Sequence, residues 1–245
     1  MEIARKVAVI LFIALVPIFL ITTSVRWVIS FPSLYSYGFD KYNISHYTGI
    51  ERDDLLDAAA QLRDYFNNDD EDIVIRTFVL GVLRENLYNQ REIDHMRDVK
   101  VLVNNVYRVQ EVIGLYFLVF AALGFFISRR RFIEALLRVI SRGGKVTLAL
   151  VVVIGLLSAV AFNQLFMLFH LVSFSNDFWQ LDPRTDYLVR IFPDAFWLDA
   201  TVWVAVRTIT GAVAITVAGS AYLAYRRYTG WQQAMKGLES ARDVN

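Results

Sequence analysis

The segment Arg91-Glu92-Ile93-Asp94-His95-Met96-Arg97-Asp98-Val99-Lys100 sets one histidine among three carboxylates and three cations. Imidazole titrates close to neutrality, and a carboxylate beside it raises its pKa and fixes its tautomer. On a helix, Glu92 lies one turn before His95 and is placed to do this. The chemistry expected of such a group is general-base catalysis. The competing expectation is a wet helix face on which Glu92, Asp94, Arg97 and Asp98 form ion pairs three and four residues apart. Periodicity separates the two: His95, Val99, Leu102, Val106 and Ile113 share one helical face, and Arg97, Lys100, Asn104, Arg108 and Glu111 share another. His95 thus belongs to the apolar stripe.

A second histidine closes the apolar run Phe166-Met167-Leu168-Phe169-His170, where it is either a second functional imidazole or an interfacial anchor. Asn163 lies two turns below it on the same face. Arg207, about ten residues or roughly 15 Å beyond Trp197, falls at a similar depth. A cation that deep in an apolar stretch faces protein or water. Its expected role is either a structural hydrogen bond to Asn163 or Gln164, or a hold on an anionic or carbonyl group. His46, in a turn-like segment, is given no role. His95 and His170 with Glu92 or Asp98 would make a three-ligand set acceptable to zinc, but the chain has no H-E-x-x-H or comparable short spacing. We expect no metal and no cofactor.

The elements that must position these groups are membrane-spanning. With 56% hydrophobic residues and a mean hydropathy of +0.41, the chain is too apolar for an ordinary soluble domain. It has no cysteine, no Gly-rich phosphate loop and no G-x-S-x-G elbow, which removes thiol chemistry and argues against nucleotide-driven transport and a serine-hydrolase fold. The expected fold is an α-helical integral membrane protein, with four transmembrane helices and a small extracytoplasmic mixed α/β head between the first and second. The N-terminus and first span take residues 1–29, and the head takes 30–106. The second span covers 107–128, a basic cytoplasmic loop 129–145 and the third span 146–170. An external loop over 171–195, a fourth span over 196–225 and a cytoplasmic tail over 226–245 complete the order. Within the head, the aromatic stretch from Phe31 reads as turns. Ile50 to Phe66 reads as an amphipathic helix started by Thr48 or Gly49, and Ile73 to Val79 as a strand. A helix is expected to carry His95 into the second span.

Orientation follows from charge. The N-terminal pair Arg5-Lys6, the central loop and the tail, with their flanks, hold 12 basic residues against 4 acids, and the head and second loop are net acidic. By the positive-inside bias both termini are cytoplasmic and the head is outside. Trp27, Trp179 and Trp197 fall at the expected outer boundary, where indole rings concentrate. A straight helix from Glu111 back to His95 would lift the imidazole roughly 24 Å, far from an interfacial His170. We therefore expect that helix to bend, to lie along the surface, or to enter the membrane before Glu111.

Three strings carry a family likeness: Asn89-x-Arg91-Glu92-Ile93-x-His95-Met96-x-Asp98-Val99-Lys100, Phe169-His170-x-x-Ser173-Phe174-x-Asn176-x-x-Trp179, and Phe192-Pro193-x-x-Phe196. Together with the span count they resemble the four-span bacterial membrane proteins of the lipoprotein intramolecular transacylase (Lit) family. That resemblance implies an acyltransferase of the bacterial plasma membrane, working at the outer leaflet. Its partners would be a diacylated lipoprotein N-terminus and membrane phospholipid, with no nucleic acid. The reaction implied moves the sn-2 acyl chain of the diacylglyceryl group to the α-amino group of the N-terminal cysteine, leaving a lyso-form lipoprotein. The catalytic pair would fall on His95 and His170, with Glu92 or Asp98 orienting His95 as base and His170 serving the oxyanion or the leaving oxygen; on sequence alone the two roles can be exchanged. Two other classes compete: a non-enzymatic receptor or assembly factor with an acidic head, and a metal-dependent membrane hydrolase.

Overall fold

The computed structural model describes residues 2–242 and is mostly helical. In chain order the elements are α1 (Glu2–Ser30), α2 (Pro32–Lys41), α3 (Ile44–Thr48), α4 (Arg52–Tyr65), β1 (Thr77–Val79), β2 (Val82–Arg84), α5 (Gln90–Ser173), α6 (Tyr187–Ile191) and α7 (Asp194–Arg242). The long helical run α5 is not one rod. Arg129 has φ of +42°, a left-handed conformation that turns the chain. Phe120 and Phe132 would be about 18 Å apart on a straight helix, yet their ring centroids are 5.9 Å apart. The run is therefore two limbs, Gln90–Ile127 and Phe132–Ser173, and with α1 and the first part of α7 they make four helices long and apolar enough to cross a membrane. The segment expected to be a basic loop over 129–145 is largely helical: Phe132, Leu136, Val139 and Ile140 recur at helical spacing, and Gly143 and Gly144 are kept in the helix by close approach of Val16 and of Thr216 and Ala212.

The chain divides into two compact units. One comprises residues 1–20, 111–152 and 208–245, and the other 21–110 and 153–207. The first is held by Phe12, Val16 and Val139, with Phe117 and Phe120 against Phe12 at 4.3 and 4.9 Å between centroids. A Cβ on Gly144 would stand 2.2 Å from Thr216 Oγ1 and 2.9 Å from the Ala212 carbonyl, so that position needs a glycine for the helices to approach.

The second unit has the larger core, running from Val28 through Tyr35, Phe39, Leu55, Leu62, Ile75 and Met96 to Ile191, Phe192 and Phe196. Three expectations for the head are corrected here. The aromatic stretch after Phe31 is helical: Pro32 sits at the first position of α2, where its missing N–H is harmless. Gly38 lies inside α2 because the Phe196 ring fills the space a Cβ would take, at 2.4 Å. The amphipathic helix α4 starts from Glu51 and not from Thr48 or Gly49, which cap and end α3. The strand is shorter than expected: only Thr77–Val79 pairs, antiparallel with Val82–Arg84. Before it, Ile73 and Ile75 are buried and Arg76 bonds to the Gln61 side chain through both its N–H and its carbonyl.

Candidate active site

His95 lies in the second turn of the first limb of α5, well before the uncharged run 112–127 that is fit to cross a membrane. Asn89 begins that limb with a capping box: its side chain accepts from the Glu92 N–H, and Glu92 Oε2 accepts from the Asn89 N–H at 2.8 Å. This fixes the register that turns His95 inward, and His95 is only 7% exposed. Burial pushes its pKa down to about 4, reinforced by nearby His170, with Asp98 pulling the other way. His95 Nδ1 is buried and has no hydrogen-bond partner among the described residues.

His170 lies one turn before the end of the second limb, with its ring centroid 6.1 Å from that of His95. Its Nδ1 is 2.7 Å from the Phe166 carbonyl oxygen. A carbonyl only accepts, so Nδ1 carries the hydrogen and the neutral ring keeps its lone pair on Nε2. Phe166, Phe169, Phe174 and Trp179 surround the imidazole at 4.5, 5.3, 5.7 and 5.0 Å between centroids. Phe174 also meets His95 edge-on at 5.2 Å. The two imidazoles therefore share one aromatic enclosure.

Limb length accounts for the meeting of the two rings. From Gln110 back to His95 a straight helix rises roughly 22 Å, and from Val153 forward to His170 roughly 25 Å. Limbs of similar rise thus bring the histidines to matching heights, with ring centroids 6.1 Å apart.

The loop after His170 is tied to the first turns of α5 by four side chains. Asn89 Nδ2 donates to Asp186 Oδ1 at 2.9 Å, Arg91 donates to the Asp177 carbonyl at 2.6 Å, the Leu188 N–H donates to Glu92 Oε1 at 2.6 Å, and Asn176 Nδ2 donates to Asp98 Oδ2 at 2.8 Å. Glu92 is thus a bridge between α5 and α6 and not the partner that orients His95. Both its oxygens are taken by backbone N–H groups, and burial raises its pKa against their pull. Asn89, Asn176 and Trp179 stand in the strings that carry the family likeness, but neither they nor Asp186 had a role assigned from sequence; the N-x-x-E spacing of the capping box was the signal that could have given the first its role.

The charged face of the segment has its own partners. Arg97 pairs with Asp72 and Asp94, while Lys100 Nζ donates to Asn68 Oδ1 and the Asp70 carbonyl and sits 4.1 Å over the Tyr65 ring. The acidic turn 67–72 is therefore bound to α5. Asn163 is exposed, and no hydrogen bond joins it to Arg207 among the described residues; the Arg207 guanidinium lies 4.0 Å over the Trp27 ring. Among the described residues no hydrogen bond or ring contact joins Asn163 or Arg207 to the histidine pair. No group of three His, Cys, Asp or Glu side chains among the described residues could hold a metal ion, so the His95–His170–carboxylate zinc set does not form.

The sequence pattern of the family "Lipoprotein intramolecular transacylase Lit" matches residues 10–197. An uncharacterised protein of Aquifex aeolicus (strain VF5) is 26% identical over 132 residues, a match covering 54% of this chain and 56% of that one, so the match spans little more than half the length of that relative. The in meso structure of the membrane-integral lipoprotein intramolecular transacylase Lit from Bacillus cereus superposes with a TM-score of 0.78 at 17% identity, covering 94% of this chain and all of that one. A structure of the same Bacillus cereus protein with one histidine replaced by arginine gives 0.74 at 16% identity, over 94% and 96% of the two chains. At such identities the superposition speaks for the fold, and the match over most of the sequence speaks for the family. The four apolar helices, the order of the two histidine strings and that match agree: this chain belongs to the lipoprotein intramolecular transacylase (Lit) family.

Proposed function

We propose that the enclosure around His95 and His170 carries out O-to-N acyl transfer on a diacylated lipoprotein N-terminus, converting it to the lyso form. The observation that supports this best is the pairing of two imidazoles 6.1 Å apart, one with its tautomer fixed and the other buried without a partner. The substrate brings both nucleophile and ester, so the protein needs no serine or cysteine of its own. It must supply a base, a donor for the tetrahedral oxyanion and a fixed approach.

The tautomer suggests how the roles divide. His170, with its lone pair on Nε2, takes a proton from the α-ammonium. The freed amine attacks the sn-2 ester carbonyl, an N–C bond forms, and the carbonyl electrons move to oxygen. His95, kept neutral by burial, donates an N–H to that oxyanion. Collapse breaks the C–O bond to glycerol, and the imidazolium of His170 returns its proton to the leaving oxygen. The nitrogen sheds its remaining extra proton to water, so ammonium plus ester gives amide, alcohol and one free proton.

The charge distribution of the sequence supports cytoplasmic termini and a site on the extracytoplasmic side, at the outer leaflet, with phospholipid as the surrounding medium. Mass spectrometry of a lipoprotein N-terminus from cells expressing each variant tests the reading. His95→Ala and His170→Ala should each cut lyso-form production by about 100-fold or more. His95→Gln, which keeps a donor, should exceed His95→Ala by about tenfold, and His170→Gln should not exceed His170→Ala. Undiminished conversion by both alanine variants would overturn the two-histidine site.

A further inference from the structure

The carboxylates of the His95 segment differ in what they are free to do. Glu92 is buried and spent on backbone N–H groups, and Asp94 accepts from Gln90 and Arg97. Asp98 is half-buried, one turn beyond His95 and close enough to act on its charge. Its Oδ2 is held by the neutral Asn176 amide at 2.8 Å, and Asn176 is itself fixed by accepting from the Phe178 N–H at 3.1 Å. Among the described residues no cation pairs with Asp98, and its Oδ1 accepts no hydrogen bond. Arg91 and Arg97, the nearest guanidinium groups in sequence, are engaged by the Asp177 carbonyl and by Asp72 and Asp94. A carboxylate pinned on one oxygen and left without a counter-charge is set to receive a cationic hydrogen-bond donor. The second observation is His95 itself, one turn earlier on α5, more than nine-tenths buried and with Nδ1 unpartnered among the described residues. Asp98 and His95 stand one turn apart on α5, beside the enclosure that holds His170.

We infer that Asp98 is the subsite for the α-ammonium group of the substrate's lipidated N-terminal residue. This rests on the acyl-transfer reading and adds to it what recognises the nucleophile before its proton is removed. The ammonium must be held as a cation, within reach of His170 Nε2, until deprotonation; a single half-buried carboxylate does this and releases the neutral amine once the charge is gone. The arrangement also selects against an N-terminus that is already acylated, because an amide nitrogen brings no charge to Asp98.

The test uses the full-length protein in detergent with His170→Ala to prevent turnover, and two synthetic lipopeptides carrying diacylglyceryl-cysteine, one with a free α-amino group and one N-acetylated. The free-amine peptide should bind at least about tenfold more tightly. Asp98→Asn, which still accepts from Asn176, should bring the ratio close to one, and Asp98→Glu should keep most of the preference. A ratio that Asp98→Asn leaves intact overturns the subsite and leaves the acyl-transfer reading standing. Failure of the Asp98-intact protein to bind either peptide overturns both.

Discussion

Burial without a partner separates His95 from His170, whose Nδ1–H is satisfied by its own helix. The sign of the resulting pH dependence is fixed. An unfolded histidine titrates near about 6.5, whereas folded His95 titrates at about 4. Between these values the unfolded chain binds the extra proton, so the contribution of His95 is fully present above about pH 6.5 and is lost as pH falls toward 4. The loss is of the order of 3 kcal/mol. Thermal melting in detergent at pH 7.5 and 4.5 should show a fall for the wild type that is several degrees larger than the fall for His95→Gln; equal falls would contradict the buried, neutral state. The pairing of the two histidines was legible from their residue types, the apolar stripe and the family likeness. The duty of Glu92 was not. Spacing told that it lies one turn from His95, but a side chain one turn away on a helix can also point along the axis to a cap, and only the position of Leu188, 96 residues later, decides which.

At the level of elements, the site is a loop fastened to a helix start. Glu92 accepts from the N–H groups of both Asn89 and Leu188, so Glu92→Ala removes a cap and leaves a buried donor without a partner. A stability loss of about 2–4 kcal/mol is expected from the two effects together. Amide exchange should accelerate in residues 175–188 and not in α4; unchanged exchange in that loop would show that Glu92 is not its tether. Helices were legible wherever the apolar period was long, as in α4 and the four apolar runs. The short elements of the head were not. Leu80 at φ of +51° and Gly81 at +76° make the hairpin turn, and a leucine there gives no turn signal. Gly38 reads as a breaker until Phe196, far along the chain, is known to pack against it.

For the molecule as a whole, the absence of cysteine from the sequence makes topology directly measurable. A thiol introduced as Asp69→Cys should react with an impermeant maleimide in intact cells, and one introduced as Lys145→Cys only after the membrane is opened. The reverse pattern would overturn the orientation read from charge. The enclosure of His170 carries a consequence for kinetics. Aromatic rings and the tethered loop crowd the imidazole, while Met167, Leu168, Leu171 and Val172 beside it on the same helix are exposed apolar side chains suited to lipid. On the proposed reading, the ester reaches His170 sideways through the plane of the bilayer. Turnover then depends on encounters in two dimensions, and the concentration that governs it is the mole fraction of lipoprotein among the surrounding lipids, not its amount per volume of solution.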